Sequence, residues 1–358
     1  MLTLSKPLKT ALIARSIIGS VLLSITTLAC SSPVSHPPSN QTASTLRETI
    51  IRVPAEWEHH EATWMQWPNE YEAHMRQSFA NIIGVVKQYE PLHLITSSKL
   101  ERYEAETFLE AAGVSLVNIT WHIAPTDNAW MRDNGPIYVS NGKEHWIQDW
   151  KFDAWGGNFG LAVESRNDDK IPQIVADYLQ LPSEEIDDYV LEKGNLEFNG
   201  AGVLMLNWDC QNQRNPGMTQ DEHEHILKEK FGVHEIIWAY GYDPEDLTTG
   251  HIDGIARFTD VDTIAIADYG TETELKLAED ASAKGYEVIW YPSDPNWLVG
   301  NGFVVTKASG DASVDATAKR ILQSLFPERD IHLIDVDAIS ESGGGIHCVT
   351  NDQPQFTL

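Results

Sequence analysis

A polar or glycine-flanked turn recurs ahead of a short apolar strand along this chain, and that recurrence limits the possible folds more than any other feature. Asp133 precedes Ile137-Tyr138-Val139, and Leu191-Glu192-Lys193-Gly194-Asn195 precedes Val203-Leu204-Met205-Leu206. His251-Ile252-Asp253 precedes Ile255-Ala256-Arg257-Phe258, Asn301-Gly302 precedes Phe303-Val304-Val305, and Cys348 with Val349 closes the series. The steps between Asp133, Glu192, Asp253, Asn301 and Cys348 are 59, 61, 48 and 47 residues. Trp64-Met65-Gln66-Trp67 could supply a member upstream. A repeat at this interval implies units that each bury too little alone and share a core.

Between the strands, residues 71–89, 99–112, 171–179, 219–231, 272–284 and 315–326 place apolar residues at three- and four-residue steps, which predicts helices. Thr219 with Glu222 forms a capping box. Gly113, Gly232 and Gly285 stand where a glycine would end three of these helices. Strands are expected to follow at residues 115–119 and 287–290. The pattern is a set of strand-strand-helix-strand units, each bringing one polar group to a shared centre.

The formal charge of −28 argues against a nucleic-acid partner, whose phosphates would be repelled. It suits a cationic substrate, and equally a merely soluble surface. Lys6, Lys9 and Arg15 precede an apolar run from Ser16 to Leu28, as in an export signal. Thr27-Leu28-Ala29-Cys30 resembles a lipoprotein cleavage site with Cys30 as the lipidated residue, although Thr27 is not the usual aliphatic. Residues 1–30 are thus read as a signal peptide and residues 31–46, rich in Ser, Pro and Thr, as a flexible tether. The expected location is the bacterial cell envelope. Residues 47–358 form one domain, since no comparable linker follows.

Cys348 ends Gly343-Gly344-Gly345-Ile346-His347-Cys348 and is the candidate nucleophile; the thiolate is the reactive form of cysteine. His251 is the candidate general acid/base, since imidazole titrates near neutrality. Asp253, two residues on, and Asp133 are candidates for gripping a guanidinium, whose fork of N–H donors matches carboxylates. The alternative for Asp133 is a salt bridge to Arg132 or a turn role. Glu192 either orients His251 or is a strand-end charge. Asn296 and Asn301 are equal candidates for the pocket lining. Trp130 either walls the cleft or packs in the core. His347 would point away from Cys348 in a strand and is read as structural. Cys210 follows an apolar run and is read as a buried thiol; a disulfide with Cys348 would consume the nucleophile.

These motifs occur in the order found in a known family. Trp130-Met131-Arg132-Asp133-Asn134-Gly135-Pro136, Phe152-Asp153-Ala154-Trp155-Gly156-Gly157, Leu191-Glu192-Lys193-Gly194-Asn195, Gly250-His251-Ile252-Asp253-Gly254 and the Cys348 motif resemble the agmatine deiminases, a family that also holds the Porphyromonas-type peptidylarginine deiminases. The resemblance spans about residues 50 to 355. It implies a five-bladed α/β-propeller, the pentein fold. It also implies Cys348 as nucleophile, His251 as acid/base, Asp133 and Asp253 as guanidinium ligands, and Glu192 as the histidine's partner. The implied reaction is thiolate attack, loss of ammonia and hydrolysis of a covalent thiouronium, with no metal or organic cofactor. The chain departs from the family at Gly345-Ile346, which lacks an intervening Asn, at Lys193 where Gly is usual, and at Asn296-Trp297-Leu298-Val299-Gly300-Asn301-Gly302. Agmatine is the first substrate implied, with peptidyl-arginine second, favoured by export.

Two other classes compete. A metallohydrolase would need ligand spacing that His59-His60, His223-Glu224-His225 and His251-Ile252-Asp253 do not provide. A non-catalytic surface lipoprotein binding cationic ligands would have no need of Cys348. Oligomeric state is not legible.

Overall fold

Strand β1 (His60–Gln66) sits between the chain's last strand and β2 (Leu92–Thr96), and this arrangement joins the two ends of the fold. The computed structural model describes residues 51–158 and 165–356; the segments read from sequence as an export signal, a cleavage site at Cys30 and a tether lie outside them. Helix α1 (Arg76–Val86) links β1 to β2, and α2 (Lys99–Ala111) links β2 to β3 (Ile119–Ile123). All three strands run parallel, as helical crossovers require.

The next four units share one plan: an antiparallel pair, a helical crossover, then a third strand parallel to the second. A short helix α3 (Met131–Asn134) leads into β4 (Ile137–Ser140) and β5 (His145–Lys151), then α4 (Ile171–Leu179) and β6 (Ser183–Val190). The third unit is β7 (Glu197–Phe198), β8 (Val203–Asn207), α5 (Trp208–Arg214), α6 (Gln220–Phe231) and β9 (Glu235–Ala239). The fourth is β10 (Ala256–Asp260), β11 (Thr263–Ala267), α7 (Glu272–Lys284) and β12 (Glu287–Tyr291). The fifth is β13 (Leu298–Gly300), β14 (Phe303–Lys307), α8 (Ala312–Leu325) and β15 (Asp330–Ile334). After α9 (Asp337–Ser340), β16 (Asn351–Pro354) pairs antiparallel with β1 and completes the first blade. The Trp64 indole N–H donates to Gln353 Oε1 across that seam at 2.8 Å.

The local signals act as physical chemistry requires. Thr219 caps α6 in a reciprocal box with Glu222, and Gly232 and Gly285 end α6 and α7 in left-handed conformation. A second box, Thr271 with Glu274, opens α7. The middle strands are covered on both faces, so β8 and β14 read as apolar runs rather than alternating ones.

Three boundaries differ from expectation. The helix expected at 71–89 is a 3₁₀ turn at Ala73–Met75 followed by α1. The strand expected at 115–119 begins only at Ile119. Most consequential, the strand at Phe303 is the second of its blade. The first is β13, and the residue just ahead of it is in the Asn296 turn, so Asn296 rather than Asn301 holds the position equivalent to Asp133, Glu192, Asp253 and Cys348.

Candidate active site

The turns ahead of β4, β7, β10, β13 and β16 each deliver a buried polar side chain: Asp133, Glu192, the pair His251 and Asp253, Asn296 and Cys348. Asn296 Nδ2 lies 3.2 Å from Cys348 Sγ, and its Oδ1 accepts the backbone N–H groups of His347 (2.9 Å) and Cys348 (3.3 Å). This amide therefore fixes the turn that carries the thiol. A side chain on Gly345 would collide with Asn296 Oδ1, which explains a glycine there. Asn301 is engaged elsewhere: its side chain bonds both backbone groups of His60, at 2.9 and 2.8 Å, and its own N–H donates to Glu90. The structure thus separates the two asparagines that sequence leaves equal.

Cys348 Sγ sits 3.7 Å from Asp253 Oδ2. Burial pushes the thiol well above the ordinary cysteine range, and the Asp253 and Asp133 charges push it further. A cation bound between those carboxylates would reverse the second effect.

One chain of groups runs outward from Asp133. Trp155 Nε1 donates to Asp133 Oδ2 at 2.8 Å, and the Gly194 N–H donates to Oδ1 at 3.1 Å. The indole reaches it from a turn in which Ala154 and Trp155 both hold φ +58°, a strained conformation for either residue. A Cβ on Gly194 would stand 2.5 Å from Asp133 Oδ1 and 2.6 Å from His251 Nδ1, so only glycine lets these groups close on one another. His251 Nδ1 lies 3.5 Å from Asp133 Oδ1 and makes no hydrogen bond among the described residues, while Nε2 bonds Glu192 Oε2 at 2.6 Å. Glu192 in turn is gripped by Arg214 through Nε (2.6 Å) and Nη2 (3.0 Å). Burial raises the Asp133 carboxyl to about 6, against the His251 charge. Burial would also raise Glu192, but Arg214 and His251 hold it below the usual range. Burial would lower His251; the Asp133 charge, with Cys210 and Glu192, instead lifts it well above an ordinary imidazole.

A second chain runs outward from Asp253. Its Oδ2 meets His347 Nδ1 at 2.7 Å, and His347 Nε2 meets Glu56 Oε2 at 2.7 Å. Arg257 Nη2 (2.9 Å) and Arg132 Nη2 (3.4 Å) flank that Glu56 oxygen. Arg132 and Lys193 then share Asp352, at 2.6 and 2.7 Å. Burial would raise Asp253, but His347 holds it below its ordinary value. Burial would raise Glu56 as well, but Arg257, His347 and Arg132 hold it well below its own. His347, read from sequence as structural and pointing away, is in fact bonded to a residue in contact with the thiol. The turn before β16 is not a strand, so alternation does not apply there. Arg132 does not pair with Asp133, which corrects the salt-bridge alternative for that residue. Trp130 is partly buried against Phe152, Ala154 and Trp155, and packs on the Gly344 backbone.

Sequence reasoning missed Arg214, Glu56 and Arg257. Arg214 had a signal: it lies four residues after Cys210 on α5, so both face the same carboxylate. Glu56 lies ahead of β1 in a stretch without a turn motif.

The sequence profile of the Porphyromonas-type peptidyl-arginine deiminases matches residues 52–289 and 273–354. The chain belongs to that family. Agmatine deiminase of Pseudomonas aeruginosa (strain LESB58) is 30% identical, covering 88% of this chain and 98% of its own length. Two solved structures share the fold. Agmatine deiminase of Enterococcus faecalis has a TM-score of 0.75 and 25% identity, covering 85% of this chain and 96% of its own. The substrate-bound agmatine deiminase of C. jejuni has a TM-score of 0.78 and 22% identity, covering 86% and 98%. The fold is the five-bladed propeller of this family. The protein is a hydrolase of C–N bonds acting on guanidine-type substrates.

Proposed function

We propose that the protein converts agmatine to N-carbamoylputrescine and ammonia. The observation that carries this is a buried thiol beside two carboxylates, Asp253 and Asp133, that raise it until a cation arrives. A guanidinium is planar and cationic and offers N–H groups on each side, so Asp133 and Asp253 can hold it while the two charges favour ionisation of Cys348. Sγ then attacks the guanidinium carbon. As the S–C bond forms, His251 passes a proton to the departing nitrogen, and ammonia leaves. The thiol proton leaves to solvent when the cation binds, and there it converts the released ammonia to ammonium. The thiouronium is next attacked by water, whose proton His251 accepts; the C–S bond breaks, giving the ureido product and regenerating the thiol. Glu192 keeps His251 oriented and protonated for the first half, with Arg214 holding Glu192.

Agmatine is favoured over peptidyl-arginine by the near full-length similarity to agmatine deiminases. The peptide reading draws on the family description and on the export signal. An anchor at Cys30 on the envelope is part of the same proposal and is tested by Cys30→Ala, expected to release the protein from membranes.

Ammonia release from agmatine and from an arginine-containing peptide, by wild type and Cys348→Ser, tests the activity. Release from agmatine alone, abolished in the variant, is expected. Release only from the peptide replaces the first reading with the second. Silence on both removes the catalytic reading.

A further inference from the structure

Cys210 forms no bond to substrate in the chemistry above, yet it lies against the acid/base pair. It projects from α5 on the face that also carries Arg214, and its Sγ is 3.8 Å from Glu192 Oε2. That oxygen is the one bonded by His251 Nε2 at 2.6 Å. One ligand atom from each of Glu192, Cys210 and His251 falls within 4.8 Å of the other two, and all three residues are buried. They come from three separate elements, so the convergence is tertiary.

We propose that Cys210, His251 and Glu192 form an inhibitory site for a thiophilic divalent cation of the Zn²⁺ class. A sulfur, an imidazole nitrogen and a carboxylate oxygen are the donors such an ion takes, whereas Ca²⁺ and Mg²⁺ call for oxygen. Around Zn²⁺, with bonds of roughly 2.0–2.3 Å, donors stand about 3.3–3.8 Å apart. The Cys210–Glu192 separation already fits, and the His251–Glu192 contact must open by about 1 Å. The thiol loses its proton, Nε2 loses the proton it shares with Glu192, and both leave to solvent as the S–metal and N–metal bonds form. Arg214 Nε remains on Oε1, while its Nη2, which donates to Oε2 at 3.0 Å, must yield that oxygen to the metal. His251 bound through Nε2 is no longer the imidazolium that protonates the leaving nitrogen, so occupancy stops turnover without touching Cys348. The inhibition rests on the deiminase reading; the binding does not.

The test uses the full chain and Co²⁺ as probe, read by thiolate-to-cobalt charge-transfer absorption in the near ultraviolet. Wild type and Cys348→Ser are each expected to give the band at one equivalent and to lose it when Zn²⁺ is added. Cys210→Ser and, as a check independent of removing a thiol, His251→Gln are expected to lose it, with circular dichroism confirming each fold. A band that survives Cys210→Ser, whether from Cys348 or Cys30, overturns the proposal, as does absence of a band in wild type. In the activity arm, the Zn²⁺ concentration for half-inhibition should rise at least tenfold in Cys210→Ser relative to its own metal-free rate. An unchanged midpoint overturns the inhibitory role. A wild type that binds cobalt but releases no ammonia would fault the deiminase reading and leave the metal site standing.

Discussion

Two arms of the site contain the same sequence of groups: carboxylate, imidazole, carboxylate, guanidinium. In one, Asp133, His251, Glu192 and Arg214 follow one another; in the other, Asp253, His347, Glu56 and Arg257. They differ at the imidazole. His347 is bonded at 2.7 Å on both ring nitrogens, each to a carboxylate oxygen that can only accept. Both ring nitrogens are therefore committed, and the ring serves as a fixed bridge behind Asp253. Among the described residues His251 is hydrogen-bonded on one side only, and its Nδ1 stands 3.5 Å from Asp133 with no hydrogen bond. An uncommitted nitrogen at the centre of the site is what proton transfer to a substrate requires. The same four groups thus build a proton carrier or an electrostatic support, depending on one hydrogen bond.

The sharpest way to break that comparison is to replace each imidazole. His251→Gln should lower kcat by roughly 10²–10⁴-fold, the usual share of general acid–base catalysis, with a smaller change in KM. His347→Gln should act mainly on KM. Without the His347 hydrogen bond, buried Asp253 loses the interaction that keeps it below its ordinary value, its carboxyl shifts upward, and substrate binding weakens most as pH falls. Equal losses in kcat for both variants, measured by ammonia release, would mean the two histidines are not distinguished as argued.

The outer carboxylates give a smaller and more diagnostic effect. Glu192 raises His251, so Glu192→Gln should bring the imidazole down and move the alkaline limb of the kcat profile to lower pH. Glu56 is not among the leading groups that shift His251, so Glu56→Gln should move that limb far less while raising KM. Parallel shifts in both pH–rate profiles would couple the arms. Gly194→Ala tests their geometry: its Cβ would push apart Asp133 and His251, and a loss of about 10²-fold in kcat/KM is expected, in line with a displacement near 1 Å.

The two arms also differ in how far they could be read from sequence. The inner residues of the first arm lie in turns rich in glycine, and Asp133, Glu192 and His251 were all legible there. The second arm depends on Glu56, which reaches His347 across 291 positions, and on Arg257, inside a mostly buried strand. No local pattern marks a charge whose partners are set by ring closure. The helices of the repeat were legible because caps and periodicity are local, as Thr219, Glu222 and Gly232 illustrate. The blade register was not, because Leu298-Val299-Gly300 and Phe303-Val304-Val305 are both apolar and only pairing decides which comes first.

That register error supplies the smallest expected effect. Asn296 stands at the thiol, so Asn296→Ala should cut activity while leaving most of the fold's stability, through a Cys348 turn that has lost its acceptor. Asn301 pins His60 by two hydrogen bonds, in a seam where Glu90 also receives the Asn301 N–H. Asn301→Ala removes both side-chain bonds; the His60 carbonyl keeps His59 Nδ1 but the His60 N–H loses the Asn301 acceptor, a cost of about 1–3 kcal/mol in thermal or urea unfolding. Its kcat and KM should stay within about twofold of wild type at a temperature where the protein is folded, since each 1.4 kcal/mol of barrier is about tenfold and none of the reacting groups moves. A loss of kcat without loss of stability would return Asn301 to the pocket and break the assignment of β13 as the strand that faces the site.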